Sequence, residues 1–298
     1  MATPRFGRVL TAMVTPFRAD GSINFDVAIE LATALVREGS DGLVIAGSTG
    51  EGSSLSDKEK LELFACVAGA VEVPVLAGST FADTARSVEL TRLVLDTGVS
   101  GVLATTPAYA RPSQKGIAAH FAAIAQSTEL PIMLYDIPAR TGRKIAATTT
   151  IDLVASHSNI VAMKDASGDL VEAAHYKAVL GDDIDLYSGD DTVVLPFMAL
   201  GAVGLVSVAA HWAAREFVQL IESVERGDWV RARAFNERLA PSYAFEASEM
   251  YPNPMPAKAA LRYLGIDVGQ CRLPHSESDD TLDADAAKIV AALQASRG

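Results

Sequence analysis

Lys164, in the run IVAMKDAS, is the one lysine of the chain that falls inside an expected β-strand. Side chains alternate across a strand, so Ala162 and Lys164 share one face while Val161, Met163 and Asp165 share the other. If the bulky Val161 and Met163 face covering helices, the Lys164 ammonium points into an apolar interior. Desolvation there lowers its pKa and leaves a neutral amine able to attack a carbonyl, the chemistry of a Schiff base. The plainer reading is a structural lysine that pairs with a carboxylate or snorkels to a rim. Tyr135, in PIMLYDIP, has the parity of Met133 and ends its run near the top of a neighbouring strand. It is either a core tyrosine with a satisfied hydroxyl or, beside an amine that forms and loses a carbinolamine, a general acid/base.

Three loops add polar groups at the ends of runs. GSTGEG, residues 47–52, offers the hydroxyls of Ser48 and Thr49 between glycines that let backbone N–H groups approach an anion; the same residues would also serve an ordinary capped turn. Arg140 in PARTG is a solvated loop arginine or the guanidinium for a substrate carboxylate. Gly189 and Asp190 in YSGDD are a turn or part of a pocket floor. Other chemistries lack their signatures. The five histidines have no metal-ligand spacing, no G-x-S-x-G elbow occurs, and there is no Walker-type loop. No metal and no cofactor are expected.

The elements that must position these groups repeat one phrase, a short apolar run followed by a loop and a helical pattern. Eight runs can be counted: VLTAMVTPF, GLVIAG, PVLAGS, GVLATTP, PIMLYDIP, IVAMKDAS, DIDLYSGDD and GLVSVAA. Intervening segments such as DVAIELATALVREG and TARSVELTRLVLDTG carry helical periodicity, and Ser56 with Glu59 makes a capping box. Alternating strands and helices require parallel pairing, and eight such units predict a closed (β/α)8 TIM barrel, whose active sites lie at the C-terminal ends of the strands. Residues 1–210 are assigned to the barrel catalytic domain, its last helix continuing past 210. Residues 211–298 hold that helix and a C-terminal helical extension, interrupted by the proline-rich PNPMPAK.

The 298 residues suffice for one large barrel, and 49% hydrophobic with 21% charged residues excludes a disordered chain. The net charge of -12 disfavours nucleic acid and anionic membrane surfaces as partners, though a small anionic substrate remains compatible with a local basic group. Cys66 and Cys271 make neither a disulfide scaffold nor a metal site. The N-terminal run is too short for a membrane span and has no cleavage signal, so a cytoplasmic location is expected.

The segments LTAMVTPF, GSTGEGSSLSDKEK, TTPAYARPSQKG, LYDIPARTG, IVAMKDASGDL, YSGDD, GLVSVAAH and NPMPAKAAL, in that order and spacing, resemble the pyruvate-dependent Schiff-base aldolases and lyases. That family includes the dihydrodipicolinate (4-hydroxy-tetrahydrodipicolinate) synthases and the N-acetylneuraminate lyases, and the resemblance covers nearly the whole chain. It implies that Lys164 forms an imine with pyruvate, Tyr135 shuttles protons, Ser48 relays them, and Thr49 holds the pyruvate carboxylate. It also implies that Arg140 anchors the carboxylate of L-aspartate 4-semialdehyde, that Gly189 and Asp190 line the semialdehyde side, and that the Val206 carbonyl lies by the pyruvate. Tyr109 resembles a tyrosine that the family donates across a subunit interface, which implies at least a dimer and usually a homotetramer.

Ser48–Thr49 departs from the paired threonines usual in the synthases and is commoner among the lyases, whereas Arg140 in P-x-R-T-G is the synthase signature. The synthase reading, in the diaminopimelate route to lysine, is therefore favoured over an N-acetylneuraminate lyase or a keto-deoxy sugar acid aldolase. A catalytically silent barrel with a structural Lys164 is the third alternative. Ala82, Arg86 and Ala108 differ from the residues that border the lysine feedback site in inhibited synthases, so insensitivity to lysine is expected.

Overall fold

Short apolar runs rich in Val, Leu and Ile are stable as strands only when both faces are covered, and parallel pairing under helices provides that cover. In the computed structural model, which describes residues 4–246 and 248–297, eight runs do this. They are Val9–Ala12 (β1), Gly42–Ile45 (β2), Val75–Gly78 (β3), Gly101–Thr105 (β4), Ile132–Asp136 (β5), Ile160–Asp165 (β6), Asp185–Ser188 (β7) and Gly204–Ser207 (β8). Each pairs in parallel with its sequence neighbours, and β8 closes on β1, giving the expected (β/α)8 TIM barrel.

The helices are Phe25–Arg37 (α1), Asp57–Ala68 (α2), Thr84–Val94 (α3), Gln114–Ala125 (α4), the single turn Pro138–Thr141 (α5), Ala147–Ser156 (α6), Leu170–Leu180 (α7) and Val194–Ala199 (α8). Ala210–Glu225 (α9), Trp229–Phe245 (α10), Met255–Tyr263 (α11) and Asp280–Ala295 (α12) follow the last strand. The long helical run after Arg215 splits into α9 and α10 at Gly227, whose φ of +75° ends the first helix. The Ser56–Glu59 capping box forms at the start of α2.

Strand alternation divides the core. Leu10, Val44, Leu76, Leu103, Met133, Ala162, Tyr187 and Val206 fill the lumen, while Leu43, Ile45, Leu134, Met163 and Leu186 pack outward against the helices. Val161 departs from the expected outward face and joins the inner cluster. The cause is a register irregularity: Ile132 pairs with Ile160 but Met133 pairs with Ala162, so one residue of β6 is skipped. Beyond it the alternation resumes, with Met163 outward and Lys164 inward. The lumen floor is closed by the N-terminal segment, where Phe6 is buried and Gly7 accepts a 2.9 Å hydrogen bond from the Tyr187 hydroxyl. Gly204 opens β8 because a Cβ there would stand 1.9 Å from the Arg8 carbonyl oxygen.

The C-terminal helices are bolted to the barrel mouth. Lys258 on α11 and Glu51 in the loop after β2 form an ion pair at 2.7 Å with both side chains about 1% exposed. The Arg272 backbone donates to Glu51 at 2.8 Å, and its guanidinium reaches Gly21, Ser54 and Glu59. Among the described residues no helix is long and apolar enough to cross a membrane.

Candidate active site

Tyr135 and Lys164 are register partners on β5 and β6. Their shared inward parity places the Lys164 Nζ 4.2 Å from the centre of the Tyr135 ring. Lys164 is 5% exposed, and the salt bridges of the described residues that use lysine involve Lys58, Lys144 and Lys258 instead. Burial pulls its pKa down to about 7, assisted by the Arg140 charge and opposed by Asp191. At that value about half the amine is neutral at pH 7, against about one molecule in 3,000 for an ordinary lysine. Gly189 makes room for the lysine stem, since a Cβ there would lie 2.9 Å from Lys164 Cγ.

Burial pushes the Tyr135 phenol up to about 12, countered by Arg140 and by a hydrogen bond with the Ser48 side chain. The phenol therefore stays protonated, able to donate to a developing alkoxide and to regain its proton through Ser48.

The loop that carries Ser48 and Thr49 is held in an unusual backbone path. Ala46 and Glu51 take positive φ values of 52° and 54°, and the chain folds back so closely that a Cβ on Gly52 would meet the Ala46 carbonyl oxygen at 2.0 Å. The missing Cβ at Gly52 thus admits the protein's own backbone. Thr49 is buried, and its Oγ1 accepts a 2.9 Å hydrogen bond from Asn253 Nδ2. A hydroxyl that accepts from one side is free to donate its own proton to the other, which suits a carboxylate ligand. Arg140, on α5 rather than in an irregular loop, donates to the Asn253 carbonyl oxygen at 3.3 Å. Asn253 thus ties Thr49 to Arg140 across the mouth, and its own Oδ1 is buried without a donor among the described residues.

A cavity of about 390 Å³ opens beside this group, lined in part by Ser48, Thr106, Ile137, Arg140 and Thr141; neither Lys164 nor Tyr135 forms part of its wall. The cavity extends to a cationic end. There Lys60 and Arg86 both stack over the Phe81 ring, at 4.1 and 3.7 Å, beside Ala82 and Ala108. Arg86 pairs with Asp57 at 2.7 Å; among the described residues the buried Lys60 donates to the Gly78 carbonyl alone, and burial lowers its pKa to about 8.

The remaining expected residues fall in three places. Val206 is buried in the lumen beside Leu10 on β1. Asp190 lies just after β7, its carboxylate accepting from the backbone and hydroxyl of Thr192 as a local turn. Tyr109 is 98% exposed at φ +66° on the rim and is not brought into its own chain's site. Asn253, Asp191 and Lys258 were not singled out by residue type and spacing. Asn253 lies in a proline-rich loop 204 positions from Thr49, and only its place in NPMPAKAAL pointed to that segment. No group of three metal-ligating side chains occurs among the described residues.

Residues 5–293 match the model of the dihydrodipicolinate synthetase family. A 4-hydroxy-tetrahydrodipicolinate synthase of Moorella thermoacetica is 46% identical over 272 residues, covering 91% of this chain and 92% of its own. A dihydrodipicolinate synthase of Cyanidioschyzon merolae, solved with lysine bound, superposes with a TM-score of 0.94 at 40% identity, over 97% of this chain and 99% of its own. The chloride-inhibited enzyme of Acinetobacter baumannii, solved with pyruvate, superposes at 0.91 with 29% identity, over 97% and 99%.

Proposed function

The chain belongs to the dihydrodipicolinate synthetase family, and from that premise we propose how the residues at its barrel mouth carry the family's condensation. The reaction joins pyruvate to L-aspartate 4-semialdehyde, giving 4-hydroxy-tetrahydrodipicolinate on the diaminopimelate route to lysine, and the chain is a lyase of that class.

The neutral Lys164 amine adds to the keto carbon of pyruvate. The carbinolamine loses water to give the imine, and loss of a methyl proton gives the enamine. The enamine carbon attacks the aldehyde, and Tyr135 delivers a proton to the oxygen that becomes the hydroxyl, with Ser48 handing protons on. The substrate's own amine then attacks the imine carbon, closes the ring and releases Lys164, so that one water is lost overall. Thr49, oriented by Asn253, holds the pyruvate carboxylate, and Arg140 holds that of the semialdehyde. Val206 borders the pyruvate, and Gly189 and Asp190 the semialdehyde.

The single observation that carries this assignment is the buried Lys164 amine, outside the salt bridges of the described residues and stacked on Tyr135 in the lumen. Incubation with pyruvate and each aldehyde in turn tests it. Condensation with aspartate semialdehyde is expected; cleavage of N-acetylneuraminate without that condensation would overturn it.

The active form is a cytoplasmic homotetramer in which Tyr109 completes the relay of a neighbouring subunit. What supports this is the near-complete exposure of Tyr109, which has no packing role within its own chain. Sedimentation of the protein, with activity measured at dilutions that dissociate it, tests the assembly. A fully active monomer would refute it.

A further inference from the structure

Behind Lys164 lies a second pair of ionisable groups that the condensation does not use. Asp191 follows β7 and Glu246 follows α10; their carboxyls are within hydrogen-bonding reach of one another. Asp191 Oδ2 accepts from Ser207 Oγ at 2.7 Å and from the backbone N–H groups of Val208 and Ala209 at 3.2 and 2.8 Å. Asp191 Oδ1 and Glu246 Oε2 are buried and have no donor among the described residues. Neither carboxyl is in a salt bridge of the described residues, whose buried lysine–carboxylate pair is Lys258 with Glu51.

We propose that Asp191 and Glu246 form a buried acid pair holding one proton between them, and that the negative charge left on Asp191 is a positioning device for the Lys164 nitrogen. The second half of this rests on the imine-forming role given to Lys164 above. Two carboxyls in contact inside a protein cannot both ionise, and burial raises both. The three donors on Asp191 favour its ionised form, which assigns the proton to Glu246 and supplies the missing donor for Asp191 Oδ1. Besides Lys164, Asp190 and Tyr243 are titratable groups facing the pair.

The groups that face the amine are the Tyr135 ring from β5, Arg140 from α5 and Asp191. Asp191 is the one negative charge among them. It opposes the desolvation of the ammonium, and it faces the nitrogen that becomes cationic again when the imine is protonated, so it favours that intermediate without touching substrate.

Infrared spectroscopy of the whole protein at a pH of about 9 tests the shared proton, well above the range in which a carboxyl such as Asp136, raised to about 7, is still protonated. A protonated-carboxyl band is expected in the wild type and lost in Glu246→Gln. No band in the wild type, or a band that survives Glu246→Gln, overturns the pair. The pH dependence of borohydride trapping with pyruvate tests the action on Lys164. In Asp191→Asn the midpoint should fall by about one pH unit or more. Glu246→Leu, which leaves the Ser207–Ala209 donors in place, should move it the same way and by less, because Asp191 loses the Glu246 hydrogen bond that helps hold its charge. An unchanged midpoint in the folded variants overturns the positioning role. Absence of trapping in the wild type would instead strike the proposed function, and the infrared result would still decide the pair.

Discussion

Replacing Lys164 by methionine should make the protein more stable, and by an amount that depends on pH. The amine is 5% exposed and held at about 7 rather than 10.5. At roughly 1.4 kcal/mol per pH unit, that difference corresponds to about 4–5 kcal/mol of destabilisation when the group is charged in both states. Below pH 7 the folded chain bears this cost in full. Between 7 and 10.5 the unfolded chain binds the extra proton, so wild-type stability rises with pH, by up to about 1.4 kcal/mol per unit. Methionine has a similar length and no charge, so Lys164→Met should gain several kcal/mol at pH 6, with the gain roughly halved by pH 9. Urea unfolding of both proteins at equal concentration and several pH values reads this directly. A variant that is less stable than wild type at pH 6, or a gap that does not narrow as pH rises, would show that Lys164 is held by a stabilising partner and is not a desolvated amine.

Three further outcomes are expected. Tyr135→Phe should keep the fold and lose roughly 10²–10⁴-fold in turnover, measured as steady-state condensation; near-normal turnover would remove the phenol from the chemistry. Lys258→Met leaves Glu51 buried without its cation, so a loss of about 3–5 kcal/mol in denaturant unfolding is expected, and an unchanged midpoint would show that the Glu51–Lys258 pair does not anchor the loop. Lysine should fail to inhibit, because Lys60 and Arg86 confront its ammonium with like charge at the cationic end of the cavity. A steep loss of rate at modest lysine concentration contradicts that reading.

What could be read from the chain in advance is what local periodicity encodes. Eight apolar runs with helical segments between them predict closure, and the two-residue period put Tyr135 and Lys164 into the lumen before any register was known. Val161 shows the limit of that rule, since a skipped residue in β6 turned it inward without changing the sequence pattern. Arg140 and the Ser48–Thr49 loop were visible as polar residues at strand ends. Their partner Asn253 was not, because it reaches the mouth only when a loop near the C-terminus docks on the second βα connection. The same holds for Glu51 with Lys258 and for Asp191 with Glu246. Long-range pairs of charged groups leave no local pattern, and Glu51 read simply as part of a glycine-rich turn.

The account depends on Lys164 capturing pyruvate. Treatment with pyruvate and borohydride, followed by peptide mass spectrometry, tests this most directly. A reduced pyruvate adduct on the Lys164 peptide, absent from Lys164→Ala, is the predicted result; an unmodified Lys164, or an adduct on another lysine, would contradict it.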